Sequence, residues 1–300
     1  MFPFPFQTSL RFAPDLEEFE RLPAASVFKI IAQEGRRELR RPAASLWWSA
    51  VAAGFAMVAS VIGVAVLAQA APAEAPWRGL FIALGYPFGF VLVILSRLQL
   101  FTENTVTPIL PLLLRPSRRA WLRTGRLWGI VFAGNLFGAA AAAAMAVGGG
   151  MVGETLQATM TAVSLEALDH TPTESFSQGI LAGFLIAALV WMLPNTRGQE
   201  LLAVFSVTYL IGAAGAPHVI AGAVETFVAI FSGEMGLLAG LVGHVAPTLA
   251  GNVAGGTILF ALLAYGQVWR ELQEGKAPLN SGKSKAPPST LEAEDRPASG

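Results

Sequence analysis

From Leu46 to Ala71 the chain carries no charged side chain. A bilayer core is crossed by about 20 apolar residues in a helix, so a run of this length and polarity is a membrane span. It is not alone. With 54% hydrophobic and only 13% charged residues over 300 positions, the chain reads as an all-α polytopic membrane protein. Net charge is zero, so there is no basic surplus of the kind nucleic acid would require, and no nucleic-acid partner is expected. The absence of cysteine excludes disulfides, thiol redox chemistry and thiolate metal sites. Met1 to Pro14 alternates Phe and Pro without the apolar core of a signal peptide, so no cleaved leader is expected.

Asp15 to Arg41 has a helical pattern in Val27, Ile30, Ile31 and Glu34 and ends in Arg36, Arg37, Arg40 and Arg41. It reads as a surface helix lying at the membrane. The domains follow as 1–42, an N-terminal segment with this helix, 43–270, the membrane domain, and 271–300, a tail rich in Pro, Ser, Lys and Glu that is expected to be disordered. Spans are predicted at Ala43–Ala70, from Trp77 to Ser96, at Trp128–Val147, at Gln178–Leu193, at Glu200–Phe231 and at Gly243–Val268. Lys and Arg gather in the N-terminal segment, in Arg115 to Arg126, at Arg197 and in the tail, whereas the long alternate connections have none. The positive-inside rule then puts both termini in the cytoplasm after six crossings.

Two spans are broken. In the fifth, Pro217 lacks a donor N–H and Gly215 is permissive, so the helix breaks just before His218. In the second, Arg97 to Pro108 is polar and irregular before apolar sequence resumes at Ile109. Irregular backbone at membrane depth survives only where protein buries it or where it lines a watery cavity. An ionisable group beside such a break suggests a substrate path. The two breaks also belong to a repeat. Gly134-Asn135-Leu136-Phe137-Gly138 and Gly251-Asn252-Val253-Ala254-Gly255 share the pattern Gly-Asn-x-x-Gly, with Thr102 33 residues before Asn135 and His218 34 before Asn252. Two halves of three spans each must run in opposite directions, an inverted 3+3 repeat of the kind used by transporters.

Leu100-Phe101-Thr102, Gly134 to Gly138, Gly179 to Met192, His218 to Ala221 and Pro247 to Gly256 occur in an order that resembles the formate/nitrite transporter family. The resemblance covers about Leu46 to Gln267 and implies an aquaporin-like six-helix protomer, a homopentamer with one pore per protomer, and passage of small monovalent anions or their conjugate acids. It implies His218 as the central pore histidine, Thr102 as the facing loop residue, and Leu100 and Phe101 as part of an apolar constriction. Gly183 and Gly222 stand where classical members tend to have asparagine. The set Arg97, Gln99 and Phe101 to Thr105 is more similar to a divergent, YfdC-like branch, for which the resemblance names no substrate.

The ionisable residues admit two readings each. Glu225 lies seven residues after His218, on the same helical face, where a carboxylate would favour imidazolium, or it pairs with Arg97 or a neighbouring protomer. Arg97 and Glu103 form a loop-stabilising pair or attract and gate anions. Asn135 and Asn252 are expected to satisfy backbone groups freed by the breaks, while His170 and His244 read as solvated or interfacial. There is no His-Glu-x-x-His, no catalytic carboxylate pair and no serine beside a histidine, so no enzyme, metal or cofactor is expected. Alternatives to anion transport are a channel for small neutral solutes and a structural or sensory membrane protein.

Overall fold

The computed structural model describes residues 21–274. Asp15 to Glu20 of the expected surface helix and positions 275–300 of the tail lie outside the described residues. Among those described, every regular element is helical. In chain order they are α1 (Ala24–Glu38), α2 (Ala43–Ala70), α3 (Arg78–Leu95), α4 (Ile109–Leu114), α5 (Arg118–Val147), α6 (Glu154–Ala167), α7 (Pro172–Met192), α8 (Glu200–Ala213), α9 (Val219–Phe231) and α10 (Leu237–Glu274). Five of these regions, around α2, α3, α5, α7 and α10, are long and apolar enough to cross a membrane. The remaining crossing expected from sequence falls on α8 and α9, each too short to span alone.

Local sequence sets the helix boundaries. Ser117 caps α5 by accepting from the Ala120 N–H. Thr171 and Glu174 form a reciprocal capping box ahead of Pro172, which supplies a fixed φ at the first turn of α7. Several boundaries differ from expectation, α7 starting at Pro172 rather than Gln178 and α10 running Leu237–Glu274 rather than Gly243–Val268. Most of the basic segment before Trp128 is not a loop but the first turns of α5, because arginine propagates a helix well and Ser117 nucleates it. The long connection from Gly148 to Ser175 contains α6.

Glycine lets the helices approach backbone to backbone, and it does so twice in the same pattern. A Cβ on Gly54, Gly134 or Gly138 would overlap Asn135, the α2 turn at Ala50, or the Val51 carbonyl. Likewise a Cβ on Gly183, Gly251 or Gly255 would overlap Asn252 or the carbonyls of Phe176 and Ile180 in the crossing of α7 with α10. Close approach through small residues is how membrane helices gain contact without a hydrophobic driving force. The outer surface of the bundle stays apolar, with Trp48, Leu202 and Leu238 at least 64% exposed, as a hydrocarbon environment requires.

The N-terminal helix does not present its apolar stripe to lipid. Val27, Phe28, Ile31 and Ala32 are buried against α4 and α10, with the Phe28 ring set edge-on to Trp191 at 6.4 Å and beside Tyr265 at 6.0 Å. Burying Phe28 alone contributes about 2 kcal/mol to this docking. A mutual pair of hydrogen bonds between Leu22 and Asn195 fastens the start of the helix.

Candidate functional site

Each broken helix stops by the same device. α8 ends with Gly215 in the left-handed region at φ +61°, and the Ala216 N–H turns back to the Ile211 carbonyl at 3.1 Å. After α3, Arg97 takes φ +55°, and the Leu98 N–H turns back to the Val93 carbonyl at 3.0 Å. Arg97 is the only non-glycine residue with positive φ among the described residues.

One asparagine then holds the freed backbone of each break. Asn135 accepts from the Phe101 N–H at 2.9 Å and donates to the carbonyls of Gln99 and Ala50, both at 2.8 Å. Asn252 accepts from the Val219 N–H at 2.9 Å and donates to the carbonyls of Pro217 at 3.0 Å and Gly179 at 2.9 Å. Both asparagines are fully buried, where unpaired backbone groups would each cost about 1–3 kcal/mol. The shared pattern also corrects the register of the repeat. Spacing set Thr102 against His218, but with Phe101 matched to Val219 the counterpart of His218 is Leu100.

Thr102 instead meets His218 across the repeat. Its Oγ1 lies 2.7 Å from His218 Nε2. His218 is also the cap of α9, its Nδ1 accepting from the Ala221 N–H at 3.3 Å. An Nδ1 that accepts carries no proton, so the neutral ring holds its proton on Nε2 and donates it to Thr102. A Phe90 edge closes over the imidazole at 4.8 Å between ring centroids. Leu100, Phe101, Thr102, Phe90 and His218 are all at most 3% exposed.

This dry layer separates two cavities. On one side a cavity of about 330 Å³ ends on His218 and is lined by Tyr86, Glu166, His170, Glu225 and His244 among others, with no Lys or Arg of the described residues in its wall. On the α1 side a cavity of about 850 Å³ is lined by Glu34, Glu38, Arg41, Arg97, Gln99 and Glu103 among others. Leu100, Phe101 and Thr102 line neither.

Several expectations change here. Arg97 pairs with Glu34 of α1 at 2.6 Å, not with Glu103 or Glu225. The pair is largely exposed, so it positions α1 more than it stabilises the fold. His170 and His244, expected to be solvated or interfacial, are both half-buried and line the cavity that ends on His218. Gly183 offers no room for the asparagine of classical relatives, because that position packs on the Asn252 backbone. By contrast the nearest atom to a Cβ on Gly222 is Oε2 of Glu225, at 3.8 Å, so this position is open toward the cavity that Glu225 also lines.

The sequence profile of the formate/nitrite transporter family matches residues 25–266. The chain belongs to the formate/nitrite transporter family. Formate/nitrite transporters are channels and transporters rather than enzymes, so the expectation of no catalytic activity stands on family membership. Among curated relatives, the chain is 36% identical over 255 residues to the inner membrane protein YfdC of Escherichia coli (strain K12), covering 84% of this chain and 82% of that one. It is 27% identical over 197 residues to the uncharacterized transporter YrhG of Bacillus subtilis (strain 168), covering 63% and 73%. Among solved structures, a pentameric formate channel with formate bound superposes with a TM-score of 0.62 at 20% identity, covering 78% of this chain and 98% of that one. An ion channel of the formate/nitrite transporter family superposes with a TM-score of 0.68 at 22% identity, covering 80% and 98%. These likenesses establish the fold of the formate/nitrite transporter chain described here.

Sequence reasoning missed Phe90, which packs on His218, Tyr86, which lines the cavity ending there, and Glu34 and Glu38, which line the other. Phe90 and Tyr86 sit in an uninterrupted apolar run of α3, where nothing in the sequence distinguishes a path-lining ring from a lipid-facing one. Glu34 and Glu38 had a usable signal, since they lie four residues apart on one face of an otherwise basic helix.

Proposed function

We propose that this chain carries small monovalent weak-acid anions of the formate and nitrite type across the bacterial inner membrane, with proton exchange at His218. The observation that carries the reading is the pair Thr102 and His218, set in a dry layer between two cavities. Stripping an anion of water in such a layer is costly, whereas its neutral conjugate acid pays far less. The positive end of α9 and an imidazole that can take up or release a proton supply what that exchange needs. Leu100 and Phe101 form the apolar barrier, Thr102 orients the ring, Arg97 and Glu103 shape the α1-side entrance, and Glu225 faces the substrate on the other side.

The fold shared with a pentameric formate channel supports a homopentamer with one path per protomer. The similarity to an inner membrane protein, with Arg residues crowding the α1 end, supports six crossings with both termini cytoplasmic. Residues 1–42 then form a cytoplasmic segment and 43–270 the transport domain.

A second reading is favoured by one observation: the cavity ending on His218 contains Glu166 and Glu225 and no cationic side chain of Lys or Arg. A neutral solute would enter such a vestibule more readily than a bare anion. Flux of formate, nitrite, acetate, lactate, hydrosulfide and glycerol into proteoliposomes, measured at pH values from about 4 to 8 around the free imidazole pKa of about 6.5, decides between them. Anion flux that depends on pH in the parent and loses that dependence in His218→Ala is expected. Glycerol flux alone, unchanged in His218→Ala, selects the neutral-solute channel, and absence of any flux overturns both.

A further inference from the structure

A third cavity, of about 500 Å³, lies away from the transport path between α1, the end of α4 and the start of α5. Its rim carries Arg36, Arg40, Arg115, Arg119 and Arg123, and no acidic residue among the described residues lines it. The arginines come from three places in the chain. Arg36 lies on α1 and Arg40 in the turn that follows it, Arg119 and Arg123 are one turn apart on α5, and Arg115 sits in the short connection before Ser117.

From Glu34 to Arg41, α1 and the turn after it divide their charges between two cavities. Glu34, Glu38 and Arg41 line the path-side cavity, where Glu34 binds Arg97 and Glu38 binds Arg41 and Gln99. Arg36 and Arg40 face the other way, and none of the five guanidinium groups has an acidic partner among the described residues. Like charges gathered round one cavity repel, and an anion between them removes that cost. The positive end of the 30-residue helix α5 adds to the same field. Below the basic rim the wall is apolar, formed by Leu39, Pro111, Leu112 and Leu114. Trp121 and Leu122, 59% and 64% exposed, follow in the next residues of α5, so the cavity opens where an aromatic side chain meets the membrane surface.

We propose that this cavity is a binding site for the phosphate headgroup of an anionic phospholipid, with the guanidinium groups on the phosphodiester and the apolar wall against the first carbons of the acyl chains. Arginine suits a phosphodiester because its planar fork binds two oxygens at once. A basic pocket beside membrane helices is the expected form of such a site. The site is separate from the transport path and does not depend on the proposed substrate.

Titration of the full-length, detergent-solubilised protein with fluorescent phosphatidylglycerol and phosphatidylcholine tests it, with inorganic phosphate as competitor. Two double variants, R36Q/R40Q and R119Q/R123Q, remove opposite walls. A third, R118Q/R126Q, removes the same charge from neighbouring arginines outside the cavity. The parent is expected to prefer phosphatidylglycerol. At about fivefold per arginine, each wall variant loses about 25-fold in affinity while the control stays within about threefold. Equal loss in all three variants would show a diffuse charge effect and overturn the site, as would equal affinity for the two lipids. Displacement of the lipid by millimolar phosphate would assign the cavity to the free ion instead. Elution of each variant at the parent's oligomeric volume, with formate flux retained, separates lost lipid binding from lost folding and from failure of the transport reading.

Discussion

His218 and Thr102 bind each other across the repeat, 2.7 Å apart, although they lie 116 residues apart in the chain. One belongs to the cap of α9 and the other to the irregular turn after α3, so each break supplies half of the polar pair. The Thr102 hydroxyl has the geometry to take the Nε2 proton, and the Ala221 N–H holds Nδ1. A ring protonated on both nitrogens has to release the Ala221 bond, so a protonation cycle at His218 is coupled to the end of a helix.

Removing the hydroxyl tests that coupling. Thr102→Val keeps the shape and leaves the buried imidazole N–H without a partner, at a cost of about 1–3 kcal/mol. Proteoliposome flux of formate is expected to fall by about tenfold or more in Thr102→Val and to recover in Thr102→Ser. Equal flux in both variants would remove Thr102 from the mechanism.

The two asparagines predict a symmetric loss of stability. Asn135→Ala and Asn252→Ala each strip three hydrogen bonds from equivalent breaks. Both are expected to lose the parent's oligomeric state at temperatures well below the parent in a heating series read by size-exclusion fluorescence. The two midpoints should lie close together, and a large drop in one alone would contradict the structural equivalence.

Arg97 holds a backbone conformation that costs an ordinary residue about 1–2 kcal/mol, at the place where the other half has Gly215. Arg97→Gly removes that strain but also the contact to Glu34. The variant is expected to keep or raise its heating midpoint while amides of α1 exchange faster with deuterium. Unchanged α1 exchange would mean that Phe28 and its apolar neighbours alone fasten the helix.

Gly183 and Gly222 predict opposite tolerance. Gly183→Asn must push the α10 backbone away and is expected to abolish assembly, whereas Gly222→Asn meets only the end of the Glu225 side chain. Expression and elution volume of the two variants check this directly.

Glu225→Gln removes an ionisable carboxyl from a vestibule that, among the described residues, contains no Lys or Arg. Where the Glu225 carboxyl is ionised it repels an approaching anion, so formate entry from that side is expected to rise in the variant. Added salt should narrow the difference between variant and parent, because screening acts on the charged parent. A lower flux in Glu225→Gln would instead assign Glu225 to proton delivery.

How much of this was legible beforehand depends on distance along the chain. Membrane class, the two breaks and the Gly-Asn-x-x-Gly repeat are properties of contiguous residues, since hydrocarbon tolerates few exceptions to apolar helix and each exception stands out. Pro217 and Gly215 announced the second break, and Asn135 and Asn252 announced their own importance by recurring. The first break was harder to register, because Arg97 occupies a glycine-like conformation without being glycine. Spacing alone then matched Thr102 to His218, when the hydrogen bonds match Leu100 to it.

By itself the sequence determined an all-α membrane bundle built from two related halves, with a histidine at one break. Only the tertiary structure decided what surrounds that histidine. Thr102, Phe90, Gly222 and Glu225 become neighbours of one path, and Arg97 finds Glu34, through the packing of helices whose apolar stretches all look alike to hydrocarbon. Hydrophobicity places a helix in the membrane but not its partner. The partner is chosen by backbone contacts at Gly54, Gly134, Gly183 and Gly251 and by the two asparagines that close the breaks, and these interactions exist only once distant segments meet.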